Sequence, residues 1–424
     1  MIEVFHFILI FSITWIFFKK NGNEYPRIFW LAFIFKLLMG AGLGLLYIYY
    51  YSANDTCLFF KDSTVLAQFA KSDFAAYLNF LFTDEISDHL KAQLINSQPR
   101  SLFLAKFMSV FSWIGGNSYW ISAAYFSLIA FVASWYLFSV VTSLFENSWL
   151  AASLSFLFFP SIVFWSSGLI KETLALAGIY FIVGFFLKFI HQQKLLWFEW
   201  IIALYGFYVA WNLKYYWTAL FGAVVFTDVT VFLVSRRFSF MQKHKVISWF
   251  IIFISLCGGA SLLHPNFHLN RFLDVLITNH DTFVRISDED GLIHFYNLHA
   301  SWASVMLNSP WALFSGLLRP FVWEASGITA LLASLENLMI AILLISALSG
   351  FRMKNAHGLL LFSTIMYITL LCIFLALSTP NLGTLSRYRV GFLPFLIFII
   401  LYRNPLINYT CDRIRAKILM DFKL

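Results

Sequence analysis

Residues 28–62 read IFWLAFIFKLLMGAGLGLLYIYYYSANDTCLFFKD. At 1.5 Å of rise per residue, the run through Tyr51 is long enough to cross the roughly 30 Å hydrocarbon slab of a bilayer as a helix. Its close, Tyr47-Ile48-Tyr49-Tyr50-Tyr51, is the aromatic belt expected at a membrane–water boundary. Asp55 follows just beyond the belt, where water, headgroups and protein meet. The same pattern recurs along the chain. Of 424 residues, 60% are hydrophobic and 12% charged, and the mean hydropathy is +0.77, values foreign to a soluble domain. The apolar runs have helix length and lack the short alternation of barrel strands, and in lipid each helix satisfies its own backbone hydrogen bonds. The reading is an all-α polytopic membrane protein with about 11 transmembrane helices, in the range of roughly 10–13.

The runs fall near 2–18, 28–51, 118–144, 148–165, 170–190, 197–211, 213–235, 246–263, 325–350, 358–378 and 384–402. Met1-Ile2-Glu3 lacks a basic lead, and Lys19-Lys20 follows the first run without a small-residue cleavage pattern, so the first run reads as a retained helix. With that end outside, the inner connections collect Lys19, Lys20, Arg27, Lys194, Arg236, Arg237, Lys243, Lys245, Arg352 and Lys354, as the bias of Lys and Arg toward the cytoplasm requires. Chain 1–424 then reads as a single transmembrane domain with outer loops at 52–117 and 264–324 and a basic cytoplasmic tail at 403–424. In the first loop Leu66, Phe69, Ala70, Phe74, Tyr77, Leu78 and Leu81 recur at helical spacing, predicting an interfacial helix. The stretch 102–114 is short for a span and is placed flat on, or dipping into, the outer face; the alternative, a twelfth span, would invert the topology before it. In the second loop a helix-like stretch, 301–318, is expected to be interrupted at Pro310. The net charge of +8 belongs to topology, since no basic domain is present to hold nucleic acid. Cysteines 57, 257, 372 and 411 have no metal-ligand spacing.

Four stretches carry chemistry-bearing residues. Asp55 has an apolar slab behind it, and a carboxylate there can take a proton or hold a metal; the alternative is an ordinary Asp in a wet loop. In Pro160-Ser-Ile-Val-Phe-Trp-Ser-Ser-Gly-Leu-Ile-Lys-Glu172 a helix ends, breaks and restarts, with Glu172 in the first turn of the new helix, where the dipole favours an anion. Lys171 beside it points elsewhere and suits a phosphate, or else serves as an interfacial anchor. Asn381-Leu-Gly-Thr-Leu-Ser-Arg387-Tyr-Arg389 drives two guanidinium groups into an apolar helix, which needs an acid or anion in compensation, and Arg grips phosphate with a forked pair of hydrogen bonds. Lys214 with Tyr215 and Tyr216 is a further cationic contact or an anchor. Asp228 and Glu336 lie within spans, Asp228 without an evident partner, and His280, His294 and His299 lack zinc spacing. There is no Walker loop, dinucleotide glycine pattern, Gly-x-Ser-x-Gly or His-Glu-x-x-His, and no pair of interrupted helices of the transporter type is evident.

These stretches resemble the GT-C superfamily of integral-membrane glycosyltransferases, in particular its bacterial cell-envelope branch. The marks are Asn54-Asp55-Thr56 at the head of the first long outer loop, the Pro160–Glu172 turn, and Asn381-x-Gly-x-x-x-Arg-Tyr-Arg389 opening a late span. The resemblance implies an inverting transfer of sugar from a polyprenyl-phosphate donor to a glycan, lipid or protein acceptor, at the periplasmic face of the bacterial inner membrane. It assigns the acids to Asp55 and Glu172 and the lipid-phosphate contact to Arg387 or Arg389, which Lys171 and Lys214, singled out above, would supplement. Any divalent cation would sit on Asp55 and Glu172. The chain departs from the family in having a single acid at Asp55, the next being Asp62, which is taken as a substrate contact. An envelope polymerase or ligase, and a transporter of lipid-linked substrate, are the alternative functions.

Overall fold

The computed structural model describes residues 2–51, 55–83, 85, 87–263, 268–350, 358–402, 404, 405 and 407. The expected Asn54, Arg352 and Lys354 and almost all of the basic tail lie outside these residues. Those described form helices α1 (Ile2–Asn21), α2 (Pro26–Tyr49), α3 (Asp55–Ser72), α4 (Phe74–Thr83), α5 (Asp88–Lys91), α6 (Pro99–Ile114), α7 (Tyr119–Leu144), α8 (Trp149–Ser153), α9 (Pro160–Phe164), α10 (Lys171–Ile190), α11 (Trp197–Ser235), α12 (Ser239–Lys243), α13 (Lys245–Leu263), α14 (Leu269–Ile286), α15 (Trp302–Leu318), α16 (Ile328–Gly350), α17 (Gly358–Ser378), α18 (Leu382–Tyr388) and α19 (Leu393–Leu401). Among the described residues β-pairing is confined to one isolated bridge, Leu292 to Asn381. The protein is an all-α, multi-pass membrane protein: among the described residues 8 helices are long and apolar enough to cross a bilayer, and 9 if the bent pair 382–391 and 393–401 counts as one span.

The remaining expected runs are present as broken helices. Residues 149–164 divide into α8, a π-helical turn (Leu154–Phe158) and α9. The runs 197–211 and 213–235 are joined in α11, whose backbone leaves the helical region at Lys214 (φ −139°, ψ 64°). The last pair bends by 69°. Interrupted helices, which the sequence pattern does not display, are therefore part of this fold. Conversely α15 runs through Pro310 without a break. The interfacial helix expected at 66–81 is two helices, because Asp73 stops α3 and its Oδ1 accepts from the Ala76 N–H at 2.9 Å to start α4.

Contacts divide the chain into two compact units, Met1–Trp149 with Phe156–Thr218, and Leu150–Ser155 with Ala219–Leu424. In the first, α7 packs along α2 and α10, and α3 lies on α6. Phe29 meets Phe131 and Trp135 edge-on, with ring centroids 5.0 and 4.8 Å apart. Helices in lipid gain little from apolar burial against one another, so close approach at small residues carries the packing. Gly178 of α10 and Gly206 of α11 provide one such approach, where a Cβ on Gly178 would lie 2.4 Å from the Gly206 carbonyl oxygen.

In the second unit α15 and α14 pack on α17, and α16 on α19. Asp228 has partners the sequence did not reveal: its carboxylate accepts from Trp249 Nε1 and Ser363 Oγ, each at 2.8 Å. Two donors from α13 and α17 thus compensate an acid buried in an apolar helix.

Gly178→Ala is expected to cost about 1–3 kcal/mol through overpacking, read as a lowered thermal midpoint in detergent. Gly258→Ala, where nothing lies within 4 Å of the added methyl, should show no loss in the same measurement.

Candidate functional site

The site of the first unit is built on the turn between α9 and α10. Ser166 and Ser167 turn their hydroxyls back onto the carbonyls of Ile162 and Val163, at 2.5 and 2.6 Å. Gly168 adopts φ +67°, a conformation in which a side chain would be strained. It lies against α2, where a Cβ on Gly40 would come within 3.2 Å of the Gly168 nitrogen, and that nitrogen donates to Ser127 Oγ of α7 at 3.1 Å. Gly40 stands nine residues before Tyr49 on α2, which is about 13 Å of helix. Gly168 thus lies deeper along α2, whereas Ile170, just before α10, packs against Leu43 and Tyr47, so the start of α10 is level with the first tyrosine of the aromatic belt.

Lys171 and Glu172 open α10 on different sides, as neighbours on a helix must. Glu172 is 1% exposed and forms an ion pair with Lys214 at 2.7 Å. Lys214 occupies the non-helical residue of α11, and its ammonium lies 5.5 Å from the centroid of the Trp217 ring. Lys171 donates to Ser101 Oγ of α6 at 3.0 Å and lies over the Phe59 ring of α3 at 4.7 Å. Arg100, beside Ser101, rests on the Tyr215 ring at 4.2 Å. The charges acting on Lys171 are those of Lys214, Glu172, Asp55 and Arg100. Asp55 begins α3 exposed to solvent, while Thr56 behind it is buried and shares a hydrogen bond with the Tyr119 hydroxyl at 2.9 Å. The unit thus gathers Asp55, Lys171, Glu172 and Lys214, all legible in the sequence, and adds Arg100, Ser101 and Phe59, which were not singled out. The one local signal for Arg100 is its place behind Pro99 in a first turn, where a cation opposes the helix dipole.

Asp62, the second acid offered by the sequence for substrate, is 1% exposed. Its oxygens accept from the Ile95 and Asn96 backbone N–H groups at 2.7 and 3.0 Å and from Asn96 Nδ2 at 2.8 Å. It ties down the loop before α6. Among the described residues no three His, Cys, Asp or Glu side chains gather as metal ligands. With Glu172 engaged by an ammonium, the acids here do not fit the expected divalent cation.

In the second unit the arginine pair divides. Arg389 is 1% exposed, its Nη2 lying 4.0 Å from Glu336 Oε1. Arg387 is half-buried with its guanidinium over the Tyr388 ring at 5.1 Å. Asn381 caps α18, accepting from the Thr384 N–H at 2.8 Å, and donates to Ser287 Oγ at 2.9 Å. It shapes the opening of the span.

Glu172→Gln should leave the Lys214 ammonium buried without its counter-charge, at a cost of about 3–5 kcal/mol. Glu172→Gln with Lys214→Met should recover much of that loss, read as a double-mutant cycle by unfolding in SDS–detergent mixtures. No family model, curated protein or solved structure matches the chain.

Proposed function

We propose that the protein is a membrane-embedded glycosyltransferase of the GT-C type, moving a sugar from a polyprenyl-phosphate donor to an envelope acceptor at the periplasmic face of the bacterial inner membrane. The observation that carries the reading is the cluster of the first unit, where Lys171, held on Ser101 and Phe59, and Arg100, resting on Tyr215, accompany the buried Glu172–Lys214 pair, with the exposed Asp55 at the head of α3. A half-buried amine beside an exposed guanidinium, level with an aromatic belt, suits the phosphate of a lipid whose tail stays in the bilayer. On this reading eleven crossings result when the two segments of α11, residues 149–164 and the bent last pair each count as a span.

In the reaction so read, an acceptor hydroxyl oxygen attacks the anomeric carbon from the face opposite the phosphate. The carbon–oxygen bond to phosphate breaks, its electron pair leaving on the phosphate oxygen, and the acceptor proton passes to Asp55. Lys171 and Arg100 meet the charge that develops on the departing phosphate, the preorganised electrostatic help that usually dominates catalysis. Glu172 holds Lys214 in place and sets the local charge balance.

The 69° break in the last span favours a second reading, transport of a lipid-linked substrate, because broken helices build substrate sites in transporters. Purified protein given radiolabelled polyprenyl-phosphate sugar and acceptor glycan separates the two. Transfer to the acceptor supports the enzyme, whereas flux across liposomes with the donor intact supports the carrier. Asp55→Asn should lower transfer by about 10²–10⁴, the worth of a positioned general base, with donor binding retained. Normal turnover by that variant would remove Asp55 from the chemistry.

A further inference from the structure

Lys36 stands in the body of α2, ten residues past Pro26 and thirteen before Tyr49, so it lies about 15 and 20 Å along the helix from the two ends. A lysine at that depth ordinarily snorkels to the interface. This one does not: it is 4% exposed, and Nζ donates inward to Ser166 Oγ at 2.6 Å. No carboxylate lies within ion-pair distance of it among the described residues. A lone ammonium buried in an apolar helix is costly, and a hydroxyl partner alone does not account for choosing a lysine. Its four-carbon stem does. The side chain reaches from α2 to the turn that starts α10.

Local hydrogen bonds shape that turn, from the Ser166 and Ser167 hydroxyls to Ile162 and Val163 and from the Ile170 N–H to the Gly168 carbonyl, but they do not tie it to its neighbours. The residue before α10 is Ile170, which offers no side-chain cap to the helix. Of the hydrogen bonds described above, those reaching the turn from elsewhere are Ser127 to the Gly168 nitrogen and Lys36 to Ser166. Ser166 passes the tie on, because its hydroxyl donates to Ile162 while accepting from Lys36. We infer that Lys36 is a positioning residue that, through Ser166, sets the depth and orientation of the turn presenting Lys171 to the donor phosphate and Glu172 to Lys214. The inference rests on the function proposed above for the cluster.

Two variants cut the same bond from opposite sides. Lys36→Met keeps an unbranched stem of similar length, and Ser166→Ala removes only the hydroxyl. Hydrogen–deuterium exchange over residues 165–172 should quicken about tenfold in each, and the double variant should be no faster than the faster single, as expected of partners in one interaction. In the transfer assay KM for undecaprenyl-phosphate sugar should rise about tenfold with kcat changing less than threefold, the mark of lost donor binding without lost chemistry. Unchanged exchange in folded Lys36→Met overturns the inference, as does additivity in the double variant. If exchange quickens as expected while the wild-type protein fails to bind undecaprenyl phosphate in detergent, the hold of Lys36 on the turn stands and the lipid-phosphate reading falls.

Discussion

The buried ion pair between Glu172 and Lys214, 2.7 Å apart, is the constraint on which the first unit's site depends. Neither charge has water to solvate it, both residues being under 5% exposed, so each is tolerable only while the other stays in reach. The pair joins the first turn of α10 to the point where α11 leaves helical geometry, fixing two irregular pieces of backbone against each other. Irregular backbone at membrane depth survives only where protein surrounds it. Glu172 is best placed there, since the first turn of a helix also favours its charge. Lys171, one residue earlier and on another side of the helix, is left to address Ser101 and Phe59.

Much of the architecture was legible because lipid imposes a plain rule: a span must be long and apolar. The eleven runs correspond to helices, yet their continuity was not legible. A break such as the π-helical turn at Leu154–Phe158 leaves hydropathy unchanged, because local hydrogen-bond register is set by the neighbours and not by composition. Pro310 misleads in the opposite direction. It removes one N–H and crowds the preceding turn, but α15 stays helical where it packs on α17, with Gly316 set close to Cys372. Asp73, in contrast, ends a helix through a purely local hydrogen bond, and that signal was present to be read.

The site was legible in its residue types and not in its pairings. Charged side chains in apolar surroundings are conspicuous, which is why Lys171, Glu172, Lys214, Arg387 and Arg389 stood out. Which acid serves which base is decided by tertiary contact between segments far apart in sequence, as with Glu172 and Lys214, or Glu336 and Arg389. The partners of Asp62 were hidden for the same reason, since the backbone N–H groups that occupy it come from residues 95 and 96. Lys36 escaped notice because a single lysine inside a strongly apolar run hardly alters the run.

Charge balance narrows the donor that the proposed reading admits. The cluster groups three cations, Lys171, Lys214 and Arg100, with two carboxylates, Glu172 and Asp55, so that 3 − 2 leaves one net positive charge. A sugar phosphodiester of a polyprenol carries one negative charge and matches it, whereas a diphosphate-linked donor would leave an excess of negative charge beside the buried Glu172. When the sugar departs, the phosphate gains a second negative charge, and the acceptor proton moving to Asp55 raises the cluster to two positive charges. Substrate and product states are then both balanced without a metal ion. On the proposed mechanism the proton transfer that activates the acceptor would also prepare the field for the leaving group, a coupling that requires Asp55 to lie near the cations without forming a fixed ion pair with any of them.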